Sequence, residues 1–119
     1  MKALLFFLSA VAFFHVAAAQ PYKCVFDNGS VVETKFPCDS AALDKFARRL
    51  AQLLPDPREM PLSGDGIKNA YVMAIGGCDE QTRGMTPEDL GKAGEPFLPW
   101  KQTAAMVQAA RELFCPEMK

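Results

Sequence analysis

Four cysteines, Cys24, Cys38, Cys78 and Cys115, carry the clearest chemistry of this 119-residue chain. An even set in a small chain points to two disulfides formed in an oxidising compartment. Three pairings are possible, and locality favours Cys24–Cys38 with Cys78–Cys115. Zinc is the rival use of four thiols. It would need all four thiolates, and no pair has C-x-x-C spacing. No metal or other cofactor is therefore expected.

The single histidine, His15, falls within residues 1–19, which read as a secretory signal peptide. Lys2 supplies the basic start, Leu4 to Val16 an apolar run, and Ala17-Ala18-Ala19 a small-residue cleavage site. Removal leaves residues 20–119 without histidine and, by taking Lys2, shifts the net charge from −1 to −2. Without histidine, the Ser-His-Asp and Cys-His nucleophile arrangements are excluded, as is the usual general base near neutral pH.

The remaining catalytic candidates are carboxylates. Asp79-Glu80 and Glu88-Asp89 are adjacent acids, and neighbours on a helix point apart, so neither makes a ready dyad. They read as solvated or helix-start acids. Ser63-Gly64-Asp65-Gly66 reads as a turn, with neither the surroundings of a nucleophile elbow nor a calcium-loop ligand series. No catalytic residue is assigned, and a carboxylate-based hydrolase is the least favoured alternative.

Binding chemistry concentrates between Gly94 and Trp100. Pro96 and Pro99 stiffen a loop that carries Phe97, Leu98 and the sole tryptophan, Trp100. Aromatic side chains dominate binding hot spots, and a stiff loop loses little entropy on docking. The competing role for these three is filling the core between the two C-terminal helices. No basic run suggests nucleic acid, and no second apolar stretch suggests membrane insertion after signal removal. Asn28-Gly29-Ser30 has the form of a glycosylation acceptor, but a turn role accounts for it.

The elements that position these residues follow from periodicity. Tyr22 to Phe36 reads as a hairpin turning at Asn28-Gly29 through a two-residue type I′ turn. That register sets Phe26 opposite Val31, Val25 opposite Val32 and Cys24 opposite Glu33. The chain must then bend at Phe36-Pro37 to return Cys38 to Cys24. From Asp39 or Ser40, Leu43, Phe46, Ala47, Leu50, Leu53 and Leu54 share one helical stripe, stopped by Pro55. A second helix is expected from about Ile67 to Gln81, weakened by Gly76-Gly77 unless their bare backbone admits a neighbouring helix. Thr86-Pro87-Glu88-Asp89 starts a short third helix, interrupted by Gly91 and Gly94. A last helix runs from near Pro99–Gln102 to Phe114, with Ala105, Met106, Ala109, Ala110, Leu113 and Phe114 on its buried side.

Two segments resemble known families. Tyr22-Lys23-Cys24-Val25, Asp27-Asn28-Gly29, Val31 and Pro37-Cys38 resemble the short Cys-hairpin of exported proteobacterial proteins, which implies envelope localisation. Cys78 on a mid-chain helix and Ala109-Ala110…Phe114-Cys115-Pro116 resemble an actinobacterial secreted helical family of unknown function. Phe114 stands where that family has Tyr, and that family lacks the hairpin. A looser similarity is to small helical periplasmic immunity proteins of type VI secretion.

The expected protein is thus mainly α, a disulfide-stapled domain of about four helices with an N-terminal β-hairpin. Residues 1–19 are the signal, 20–38 the disulfide hairpin, and 39–119 a helical part packed with it as one unit. The expected function is binding of a protein partner in the bacterial envelope, of inhibitor or immunity type, after export to the periplasm or medium. The alternative is a structural or stress-related envelope protein without enzymatic activity.

Overall fold

The computed structural model describes residues 21–56, 58, 63–94 and 98–118. The signal peptide expected over 1–19 lies outside the described residues. Strands β1 (Tyr22–Val25) and β2 (Val31–Thr34) form an antiparallel hairpin. Four helices follow: α1 (Ser40–Leu53), α2 (Gly64–Ile75), α3 (Pro87–Ala93) and α4 (Trp100–Phe114). The mainly α, disulfide-stapled architecture is the one expected.

The hairpin register differs from expectation by one residue. Val25 opposes Val31, Cys24 opposes Val32, Lys23 opposes Glu33 and Tyr22 opposes Thr34. The loop is three residues long, closed by Phe26 N donating to Ser30 O and Gly29 N donating to Phe26 O, both at 2.9 Å. Gly29 takes φ +88°, and among the described residues none other than glycine has a positive φ, so Asn28 does not occupy a type I′ position. Instead Asn28 Oδ1 accepts from Ser30 N at 2.9 Å and Ser30 Oγ at 2.5 Å, an Asx turn. A one-residue slip would reverse the faces. In the observed register Cys24 and Phe26 point inward, and Val25 and Val31 pair on the exposed side.

Helix α1 begins where Asp39 Oδ1 accepts from Ala42 N at 2.9 Å, a standard N-cap. It buries Ala42, Phe46 and Leu50, with Leu54 just beyond continuing the i, i+4 stripe. Leu54 is already extended, as suits the residue before a proline.

Helix α2 starts three residues earlier than expected, so Gly64, Asp65 and Gly66 are its first turn rather than a loop. The reason is tertiary. Both Asp65 carboxylate oxygens accept from Asp27 N, at 3.0 and 3.2 Å, and Lys68 Nζ donates to Val25 O at 2.9 Å. The helix start is built against the hairpin tip. α2 also ends earlier, at Ile75, and the chain tightens into 3₁₀ turns at Gly76–Cys78 and Glu80–Thr82. A Cβ on Gly77 would lie 2.8 Å from Val107 Cγ1, so the bare backbone there admits α4. Gly76 faces open space and has no such role.

Helix α3 carries a reciprocal capping box. Asp89 N donates to Thr86 Oγ1 at 3.0 Å, and Thr86 N donates to Asp89 Oδ2 at 3.1 Å. Gly91 does not interrupt this helix. It is buried inside it, and a Cβ there would collide with the Trp100 carbonyl and approach Ala104 N to 3.2 Å. The helix ends only at Gly94.

Helix α4 is the spine on which α1, α2 and α3 all pack. Its Ala105, Met106, Ala109 and Ala110 are buried as expected, and the small alanines let neighbouring helices approach. Leu113 departs from expectation at 38% exposed. Gln102, Val107 and Arg111 take buried positions instead. Phe36, Phe114, Tyr71 and Phe46 form a continuous aromatic row, with successive ring centroids 6.0, 5.3 and 5.5 Å apart. Tyr71 Oη donates to Pro37 O at 2.5 Å, which satisfies its buried hydroxyl. Burial, with a smaller contribution from Asp39, pushes the Tyr71 pKa up to about 12.

Candidate functional site

The cysteines pair as locality favoured. Cys24 joins Cys38 and Cys78 joins Cys115, with Cα atoms 5.2 and 5.9 Å apart. Cys24 and Cys115 are buried, and among the described residues no cysteine is free. The first bond returns the chain after β2 to β1. The second ties the 3₁₀ turn after α2 to the end of α4.

The acids singled out in the sequence are not brought together. Asp79 pairs with Lys35 at 3.3 Å, Glu80 with Arg83 at 2.9 Å, and Glu88 with Lys92 at 2.8 Å. Arg83 lowers the Glu80 pKa, and hydrogen bonds from Thr86 lower that of Asp89. Asp56 is lowered likewise, by hydrogen bonds from Arg58. Each of these shifts favours the charged carboxylate, the wrong direction for a general acid.

Arg111 escaped sequence reasoning. It is 2% exposed, and its guanidinium donates to three backbone carbonyls: Gly77 O at 3.0 Å, Met85 O at 2.5 Å and Thr82 O at 3.1 Å. Burial lowers its pKa below the usual arginine value. The five-donor fork suits carbonyls that point in different directions. It gathers the irregular chain between α2 and α3 onto α4. The available signal was position: Arg111 lies four residues after Val107 and four before Cys115, on a buried stripe.

Two cavities border groups already engaged inside the protein. One of about 210 Å³ lies against the Lys35–Asp79 pair. Another, of about 280 Å³, touches Arg111 and Glu112. Glu112 is held by Arg49, at 2.6 Å to Nε and 3.2 Å to Nη2, and this pairing raises the Arg49 pKa.

The expected binding segment divides. Phe97 lies outside the described residues. Leu98 is half-buried and packs on the hydrophobic core, so it fills the interior rather than presenting itself on a loop. Trp100 is the first residue of α4 and remains partly exposed. Its ring lies 5.2 Å from Lys92 Nζ and 5.8 Å from Lys101 Nζ, within cation–π range of both. It borders a cleft of about 270 Å³ with Leu53 and Pro55 from the end of α1, and Lys101, Ala104, Ala105 and Gln108 from α4. Among the described residues no acid lines this cleft.

The platform is stiff for a local reason. α3 packs at Gly91 directly on the Trp100 backbone, so the indole is attached to a fixed helix junction. Chemically, the arrangement supplies an aromatic face, an aliphatic wall and a cation, which suits non-covalent recognition. Among the described residues no group of three or more His, Cys, Asp or Glu side chains is placed to hold a metal ion, and no helix is long and apolar enough to cross a membrane. Compared with protein-family models, curated proteins and solved structures, the chain matches none, so the Trp100 cleft stands on its own chemistry.

Proposed function

We propose that this protein acts by binding another protein in an oxidising compartment outside the cytoplasm, with the Trp100 cleft as the contact. The observation that carries this reading is the cleft itself, where a partly exposed indole on a rigid junction borders an aliphatic wall. Tryptophan anchors in preformed pockets contribute disproportionately to interface energy. Two disulfides fit an oxidising compartment, and the apolar start of the chain fits export. An inhibitor or immunity role in a bacterial envelope is the form we favour. The resemblance of the hairpin and of the C-terminal Cys-Pro helix to exported bacterial families supports the location. A carboxylate hydrolase is disfavoured by the engagement of Glu80, Glu88 and Asp89 in ion pairs and caps.

The test places a photo-crosslinking residue at Lys101 and, as control, at the exposed Met73 on α2. A partner trapped at Lys101 and not at Met73 is then titrated against the purified protein. Trp100→Ala is expected to weaken that complex by about a hundredfold, the scale of one hot-spot aromatic, with an unchanged circular dichroism spectrum. Equal affinity of the variant would overturn the reading.

A further inference from the structure

Resting on that reading, we infer that the partner enters the Trp100 cleft with an acidic segment, a carboxylate meeting Lys101 and a neighbouring apolar side chain lying on the indole and the Leu53–Pro55 wall. The charge distribution argues for this. Most described cations have carboxylates within 4 Å, among them Lys35 with Asp79, Arg49 with Glu112, Lys68 with Asp27 and Asp65, Arg83 with Glu80, and Lys92 with Glu88. Of the others, Arg111 is engaged by three backbone carbonyls, and Lys23 and Lys45 do not line the cleft. Lys101 has none among the described residues. Its ammonium group lies instead 5.8 Å from the Trp100 ring centroid, at the lip of an apolar cleft that no described acid enters.

A cation above an aromatic ring keeps its charge available to a second group, because the ring quadrupole neutralises none of it. A carboxylate arriving there would complete an ion pair at the edge of an apolar contact, where screening is weaker than in open solvent. The floor adds a complementary requirement. Leu53, Pro55 and Ala104 offer apolar surface above the buried Ala105, and Gln108 an amide whose Nε2 already donates to Glu112 at 3.2 Å and which keeps a second N–H. A purely polar acidic chain would leave that surface wet, whereas acidic residues alternating with leucine or phenylalanine would cover it. Electrostatic complementarity of this kind sets partner choice and association rate.

The sole tryptophan of the chain makes the site its own reporter. The full protein without its first 19 residues is titrated with a blocked peptide alternating glutamate with leucine and phenylalanine, and with its glutamine and lysine counterparts, following Trp100 emission. We expect saturable binding of the acidic peptide, at least about tenfold weaker for the glutamine form, and weakening with added salt. Lys101→Gln is expected to erase the preference for the acidic peptide while leaving the thermal midpoint unchanged, since Lys101 is an exposed side chain. Equal binding of the glutamine or lysine peptide would overturn the acidic preference and leave the protein-binding reading standing. No response to any peptide up to millimolar concentration would also overturn it, while the crosslinked complex at Lys101 is judged separately. Self-association in sedimentation, abolished by Trp100→Ala, would give the cleft to a second copy of this chain and overturn the inference as well.

Discussion

The two halves of α4 do opposite work. Its C-terminal half supplies the inward ties, although Leu113 stays at the surface: Arg111 fills three carbonyls, Phe114 joins the aromatic row, and Cys115 just beyond closes the disulfide to Cys78. Its N-terminal half keeps groups at the surface, where Trp100 is partly exposed and Lys101 lacks a carboxylate among the described residues. A chain of this size thereby combines rigidity with recognition. A small domain has little core to spare, so stability is concentrated where the polar groups satisfy one another. Recognition is left to a junction stiffened from behind, by α3 resting on Gly91.

The sharpest way to break the inward half is to remove its covalent bond. Replacing Cys78 and Cys115 with alanine opens a 37-residue separation, and loop entropy sets the expected loss at about 4 kcal/mol in urea denaturation. Arg111→Met comes next, at about 3 kcal/mol, because three carbonyls lose a charged donor that is buried among them. Lysine at that position is expected to rescue little, since one ammonium cannot reproduce a fork aimed in three directions.

The outward half responds differently. Gly91→Ala forces α3 off the Trp100 carbonyl, with an expected cost of about 2 kcal/mol and a red shift of Trp100 emission as the indole loosens. The same substitution at Gly76, which faces open space, is expected to be neutral or better. A stability loss at Gly91 without any change in emission would show that the α3 junction does not hold the Trp100 indole in place.

The smallest loss belongs to Tyr71, which links α2 to Phe114. Tyr71→Phe is expected to cost about 1 kcal/mol through loss of the hydrogen bond to Pro37 O. Its pH dependence has a definite sign. The folded pKa of about 12 lies above the ordinary value of 10, so the unfolded chain ionises first as pH rises. The native chain should therefore be fully stable with respect to this group below pH 10 and lose stability between 10 and about 12. That alkaline arm should shrink in Tyr71→Phe, measured by urea midpoints across the range.

Elements whose signals are local were legible from residue order alone. Asp39 and Pro55 bracket α1, Thr86-Pro87 with Asp89 starts α3, and the alanine stripe ending at Cys115 marks α4. Chain proximity was enough to favour the observed disulfides. Tertiary structure decided what depended on distant partners. The hairpin loop took three residues rather than two, with only Gly29 at positive φ and the Asp27 amide facing Asp65. The start of α2 was drawn back to Gly64 by that same contact, and Gly91 became a packing point because α4 lies against it. The candidate site was half legible. Trp100 could be singled out by type, but Leu98 went to the core and Lys101 gained its place only when α1, α3 and α4 met. Spacing along a chain fixes which residues share a face, whereas the partner that face meets is set by folding in three dimensions.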